Sequence, residues 1–469
     1  MAHQAERLPW QTLASVFELK TANFCQHNAR NLHPKDTPES RQKLSHFFDS
    51  LFKNATIDAK QERKKYPDKF DPINVGTFFK DMTGEEDDTP AQYYPPSKDE
   101  IILKDESVER ITPTVKRWYP KEKDGSSKVD KGLLCTHTND CECALPLKER
   151  QLAAFQREWY PNDCWEFYYD NGEAYRNLEF VKTLILHGEM DPILRVCSSD
   201  ECHLTQWWNC GPCICEDSDL GWDVLCGNAM TMYLILNILY CFPDLREGGY
   251  RDLGSYQRAI RACTMYSGCP IATYPHRDLF GIEYGRFAVY PRPFDIPRWK
   301  HVMKVYPPEL SESVRKTFEE TGDIPDRYYK LGFYPYGLMS YDDFLSFEKP
   351  VSYQPHASDI PQVQQVLHNK GLPAELSNNI LSAANYTPRR TLPVAGKPFH
   401  PENKAELDGY LEDCWGLIVR CVMLGLEIED ENWSIEKKAR GVFKECLGRV
   451  FTCECEGTVE LFYDSDREV

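Results

Sequence analysis

Apolar residues recur at three- and four-residue intervals over long stretches of this chain, and helices are the elements that such spacing predicts. Leu44, Phe47, Phe48, Leu51 and Phe52 fall on one helical face with charged residues opposite. Residues 1–80 are therefore expected to form a helical N-terminal segment. The period is lost between Asp81 and Lys131, where acids and lysines mix with Pro90, Pro95, Pro96, Pro113 and Pro120 and with Gly125, Ser126 and Ser127. Residues 81–131 read as a polar, proline-containing linker or surface excursion. The central stretch, 132–345, carries the most apolar window, Cys226 to Phe242, together with proline-broken aromatic runs such as Phe287 to Tyr290 and Tyr329 to Tyr336. Clustered apolar and β-branched residues predict short strands at Phe180 to Leu186 and His301 to Tyr306.

After a connecting segment, 346–371, the pattern becomes clearest. Three helices are expected within 372–469: one holding Leu376, Ile380 and Leu381, a second running from Leu407 through Trp415 to Val422, and a third from Ile435 through Val442 to Val450. Each apolar set lies on one face, so the three should bury a shared core with Trp415 inside it. The expected class is α+β, rich in α, with a helical N-terminal segment, a cysteine-rich mixed central domain and a three-helix C-terminal unit. A length of 469 residues agrees with two or three domains, and 41% apolar with 13% aromatic residues is ample for a core.

Charge narrows the partners. Asp and Glu number 73 against 55 Lys and Arg, a formal charge of −18. The densest basic stretches, Lys60 to Lys69 and Lys116 to Lys123, are short and interrupted by acids. Both read as solvated faces, and nucleic acid is not an expected partner. The window Cys226 to Phe242 is interrupted by Asn228, Thr231 and Asn237, stopped by Pro243, and flanked by Asp217, Asp219, Asp223, Asp244 and Glu247. It reads as a helix buried on all sides rather than a membrane span. The N-terminal stretch lacks the apolar region of a secretory signal, which makes the expected location intracellular, cytoplasmic or nuclear. The triplets at Asn54, Asn385 and Asn432 that fit the glycosylation pattern are then coincidental.

In a reducing compartment, most of the 19 cysteines should be buried small hydrophobes or metal ligands. The densest group is Cys197, Cys202, His203, Cys210, Cys213 and Cys215, with a second at Cys135, His137, Cys141 and Cys143. Thiolate and imidazole are the preferred donors of tetrahedral zinc, and Cys210-Gly-Pro-Cys213 makes a tight ligand hairpin, so zinc is the candidate cofactor. The spacing is irregular against the standard paired patterns, and unligated thiols are the alternative. Cys210-Gly-Pro-Cys213 after Trp207-Trp208 also resembles the thioredoxin redox motif. Its flanks, however, are acidic where a thioredoxin has an apolar strand and a helix, and acidic neighbours should raise the thiol pKa. A Gly-rich phosphate loop, a His-Glu-x-x-His and a Gly-x-Ser-x-Gly elbow are all missing from the sequence. Asp342-Asp343 and Glu427 to Glu431 read as solvated surface.

The run Leu372-Pro373-Ala-Glu375-Leu376 leading to Ile380 resembles the opening of an F-box. That resemblance implies a helical unit docking on a Skp-type adaptor of a ubiquitin ligase, with Leu372, Pro373, Glu375, Leu376 and Ile380 as partner-binding residues. The family's later Asp-Leu and Val-Ser-Arg-x-Trp segments are absent. The C-terminal phrases Tyr386-Thr-Pro-Arg-Arg and His400-Pro-Glu-Asn also resemble those of uncharacterised proteins of filamentous fungi. The function expected from the sequence is an intracellular binding or adaptor protein without catalytic residues. The alternative is an enzyme, a thiol oxidoreductase or zinc hydrolase, using the Cys197 to Cys215 cluster.

Overall fold

The computed structural model describes residues 3–4, 6–22, 29–70, 103–111, 172–197, 222–251, 253–264, 270–281, 355–384, 386, 388 and 390–451. Among these the chain is helix-rich. In order they form α1 (Trp10–Ala14), β1 (Phe17–Ala22), β2 (Ala29–Pro34), α2 (Pro38–Arg63), α3 (Asp105–Ile111), α4 (Gly172–His187) and α5 (Met190–Cys197). Then come α6 (Asp223–Tyr240), a π-helical turn (Leu245–Gly249), α7 (Gly254–Thr264), α8 (Pro270–Phe280), α9 (Asp359–Asn369) and α10 (Ala374–Ala383). A 3-10 turn (Pro401–Asn403), α11 (Lys404–Glu427) and α12 (Ile435–Phe451) complete them.

Helix α6 is the axle. Every residue from Leu225 to Leu239 is buried, because α1, α7, α8, α11 and α12 and the π-helical turn all pack against it. It is long and apolar enough to cross a membrane by length and composition, yet 83% of that window is buried inside the fold. Its two asparagines show how an all-round apolar helix tolerates polar residues. Asn228 Nδ2 donates to the Ala272 carbonyl of α8 at 3.2 Å, and Asn237 Nδ2 to the Tyr233 carbonyl at 2.8 Å. Each bond offsets part of the desolvation cost of its buried amide.

Helices from all parts of the chain meet this axle in one apolar cluster. Helix α2 starts where Thr37 accepts a hydrogen bond from the Ser40 N–H at 3.1 Å with Pro38 in the first turn, and its Leu44, Phe47, Phe48 and Leu51 are buried. It packs on α11, and Arg63 reaches Glu427 at 2.6 Å. Helix α4 ends at Gly188, whose φ of 73° closes the helix: the Glu189 N–H returns to the Leu184 carbonyl at 2.9 Å. Arg420 of α11 donates to the Ile185 and Leu186 carbonyls at 2.7 and 3.0 Å, satisfying acceptors that the ending helix leaves open.

Three expectations change. Phe180 to Leu186 is not a strand but the second half of α4, with Val181, Leu184 and Ile185 buried. A short apolar run rich in branched residues has no period that separates a strand from a buried helix. The N-terminal segment is not wholly helical: β1 and β2 pair antiparallel, with Leu19 opposite Leu32. Phe17 and Leu32 of this hairpin are buried, and Leu19 packs partly against the core. The expected three-helix C-terminal core is the third. Helices α11 and α12 bury their apolar faces largely on α6, while α10 packs on α9 and keeps Leu376 and Ile380 exposed at 47% and 43%. Leu376 and Ile380, four residues apart, stay on the outside of α10, and Ser377 is its one buried residue. The predicted strand at His301 to Tyr306 lies outside the described residues, and Asp105–Ile111 is a helix within the stretch read as linker, with Val108 and Ile111 buried.

Candidate functional site

The C-terminal end of α6 opens into a cleft of about 770 Å³, within the range of small-molecule sites. Three pieces of chain build it. Helix α6 supplies Leu236, Asn237 and Tyr240; the π-helical turn and its exit supply Arg246, Tyr250 and Arg251; the loop before α11 and that helix's first turns supply Lys397, Phe399, Lys404, Leu407, Asp408 and Leu411.

The loop is held from beneath by one residue. Asn403 is fully buried. Its Nδ2 donates to the carbonyls of Val394 at 2.7 Å and Lys397 at 2.8 Å, and its Oδ1 accepts from the Val394 N–H at 2.8 Å. The His400 N–H closes a further turn on the Lys397 carbonyl at 2.8 Å. A loop with so many internal bonds presents its side chains without further ordering cost.

The inner wall is aromatic. Phe399 stands edge-on to Tyr250 at 4.8 Å between ring centres and lies 6.3 Å from Tyr240. Burial pushes the Tyr250 phenol up to about 12, so it stays neutral at any physiological pH. The rim is cationic. Four bases, Arg246, Arg251, Lys397 and Lys404, face one carboxylate, Asp408, and Lys404 is already paired with it. The Arg246 guanidinium lies over the Tyr240 ring, 4.8 Å from its centre. Neither Arg246 nor Lys397 has a carboxylate partner among the described residues. On a chain with a net charge of −18, two bases without a carboxylate partner among the described residues at the mouth of an apolar cavity make a local anion-attracting field. At the base of the wall Asn237 is fully buried, and its Oδ1 accepts no hydrogen bond.

The remaining polar groups of the interior are structural. His276 Nδ1 meets the Tyr410 hydroxyl at 2.6 Å, tying α8 to α11, and burial holds this imidazole neutral with a pKa of about 3. The thiols of Cys263, Cys414 and Cys446 are pushed up by burial, and that of Cys226 by its hydrogen bond to Cys421 and by burial. Thiols raised in this way are poor nucleophiles.

The sequence-predicted site residues are placed differently. Cys197 ends α5, half-buried against the core. Cys202, His203, Cys210, Cys213, Cys215, Cys135, His137, Cys141 and Cys143 lie outside the described residues, and with them the enzyme alternative that uses the cluster. Among the described residues no group of three metal-ligating side chains comes together. Leu372, Pro373, Glu375, Leu376 and Ile380 run from just before α10 to its second turn and beyond, with Pro373 as its N-cap residue and Glu375 in its first turn. None of them reaches the cleft. The sequence reading missed Arg246, Tyr250, Lys397 and Phe399, which are scattered over 154 positions and share no motif. Two traces were visible: Asn237 interrupting an apolar helix, and the phrase His400-Pro-Glu-Asn, which holds both the turn and the asparagine that fixes it.

The family model described as Gramillins biosynthetic cluster protein GRA5 matches residues 11–446. No curated protein and no solved structure matches the chain.

Proposed function

The chain belongs to the GRA5 family of gramillins biosynthetic cluster proteins, a fungal family, and from that premise we propose that it is a binding protein that holds a small organic anion of such a biosynthesis in the cleft at the end of α6. The observation that carries this reading is the placing of Arg246 and Lys397, which have no carboxylate partner among the described residues, beside the aromatic wall of Tyr240, Tyr250 and Phe399. Apolar walls supply the binding energy of most small ligands, and a few placed charges fix their orientation.

Titration with 8-anilinonaphthalene-1-sulfonate, an aromatic monoanion, tests it. The parent chain should show saturable one-site fluorescence enhancement. The double variant Arg246→Gln and Lys397→Gln should bind at least about tenfold more weakly with unchanged melting, since a hydrogen bond to a charged group is worth roughly 1.5–3 kcal/mol. Equal binding by parent and variant would remove the cleft from the reading.

A second reading is favoured by the exposure of Leu376 and Ile380 on α10. The F-box-like helix would engage a Skp-type adaptor through these two side chains, as apolar residues one turn apart do in helix docking. An adaptor pull-down should then be lost in the Leu376→Glu, Ile380→Glu double variant, and absence of capture by the parent chain ends this reading.

A further inference from the structure

The charged side chains that line the cleft are unlike those of the chain at large. Acids outnumber bases 73 to 55 over the whole sequence, whereas in the cleft four bases meet one acid. We infer that the cleft takes an anion carrying two negative charges on an apolar body, of the class of a phosphate monoester or a dicarboxylate. This rests on the reading of the cleft as a ligand site and adds to it the charge of the ligand.

Two charges are what the wall leaves unanswered. Lys404 and Asp408 are paired and cancel. Arg246 and Lys397 have no carboxylate partner among the described residues. The Tyr240 ring under Arg246 attracts its guanidinium through the ring quadrupole but carries no net charge. The Tyr250 phenol, pushed up to about 12 by burial, adds no negative charge to the inner wall. A monoanion would answer one base and leave the other without a counter-charge in a cleft that Leu236, Leu407 and Leu411 also line. Between such low-dielectric walls the fields of like charges add, so a second negative charge on the ligand is drawn in rather than repelled. The chain's overall charge of −18 does not reverse this, because the fields of exposed charges fade over about 8 Å at physiological ionic strength. The acids outside the cleft are therefore largely screened from it.

The volume sets the body. A cavity of about 150 Å³ is enough for benzene, and the cleft holds about 770 Å³, so a body larger than one ring fits beside the charged groups. Phe399, Tyr250 and Tyr240 give that body aromatic surface. Phosphate monoesters and dicarboxylates share the required charge and differ in whether it sits on one group or on two.

Matched probes separate charge from shape. 2-Naphthyl phosphate and 2-naphthyl methyl phosphate share a ring system and a phosphorus group, but at about pH 8 the first carries two charges and the second one, since a phosphate monoester loses its second proton at about pH 6. 2,6-Naphthalenedicarboxylate and its monomethyl ester make the second pair. Calorimetric titration of the parent chain should show one-site binding that is about tenfold or more tighter for the dianion than for the monoanion in at least one pair, the factor of a further charged hydrogen bond. The pair that shows it tells whether one group or two carry the charge. In the double variant Arg246→Gln, Lys397→Gln the preference should vanish. Both side chains are exposed, so the variant keeps the fold, and the probe pairs on the parent chain stand without it. A preference short of about tenfold in both pairs, or one that survives in the double variant, would overturn the inference while saturable anilinonaphthalene sulfonate binding still upheld a ligand site. Failure of the sulfonate and of all four probes to saturate would remove both.

Discussion

Replacing Trp415 by alanine is expected to lower the unfolding free energy by about 3–5 kcal/mol, the cost of emptying a buried aromatic site. The indole of Trp415 is 5% exposed and lies 5.5 Å from the Tyr233 ring at the heart of α6. Its Nε1 donates to Asp58 Oδ2 at 2.9 Å, and the same carboxylate takes a two-pronged contact from Arg7 at 2.9 and 3.0 Å. Three elements therefore lose a common partner at once: α2 through Asp58, α6 through Tyr233 and the N-terminal stretch through Arg7. Urea unfolding followed by circular dichroism measures the loss. Trp415→Phe separates the contributions, because it keeps most of the buried ring but drops the N–H, and should cost nearer to about 1 kcal/mol. A Trp415→Ala protein with the parent's unfolding midpoint would show that this face of α11 is not part of the core.

The second large effect is expected from the smallest change. Gly425 lies near the end of α11 where α12 begins to cross it, and a methyl group there would sit 2.4 Å from Ile435 Cδ1, 2.5 Å from its Cγ1 and 2.9 Å from its Cβ. The third distance decides the outcome, because a flexible side-chain end can rotate away but Cβ moves only with the backbone. Ile435 is itself 1% exposed and stands at the first turn of α12, so the helix start has to shift. Overpacking of this kind typically costs about 1–3 kcal/mol and sometimes more. The intrinsic helix preference of alanine over glycine, about 1 kcal/mol, runs the other way. We expect Gly425→Ala to be destabilising on balance, by roughly 2 kcal/mol as set by those two magnitudes, and its cost to be reduced but not abolished in an Ile435→Ala background, where the Cδ1 and Cγ1 contacts are gone and the Cβ contact remains. Thermal melting of the two variants and of Ile435→Ala alone checks it. A Gly425→Ala chain more stable than the parent would show that α12 yields freely at its start.

Five helices, α2, α6, α10, α11 and α12, were legible in the sequence because a local property produces them. The apolar period of α2, α11 and α12 identifies one face of each, and the long apolar run of α6 identifies a helix enclosed on every side. Their lengths and buried faces need no knowledge of what they pack against. Trp415, Ile418 and Val442 could be placed toward a core for the same reason, and the first two are buried.

What tertiary structure decided is everything that depends on a neighbour distant in sequence. Phe180 to Leu186 is helical because its branched residues pack as part of α4, a choice that a short apolar run leaves open. The hairpin at Phe17–Ala22 needs Ala29–Pro34 as its partner and the core beneath it. Helix α10 has a faithful apolar spacing, but that spacing cannot say whether the chain itself covers the face, and here Leu376 and Ile380 are left outside. The cleft belongs to the same class. Asn237, Arg246, Lys397 and Phe399 carry no joint signal along the chain, because their chemistry arises only when the end of α6, a π-helical turn and the Asn403-anchored loop converge. Periodicity is a property of one segment, whereas a binding site is a property of the distances between several.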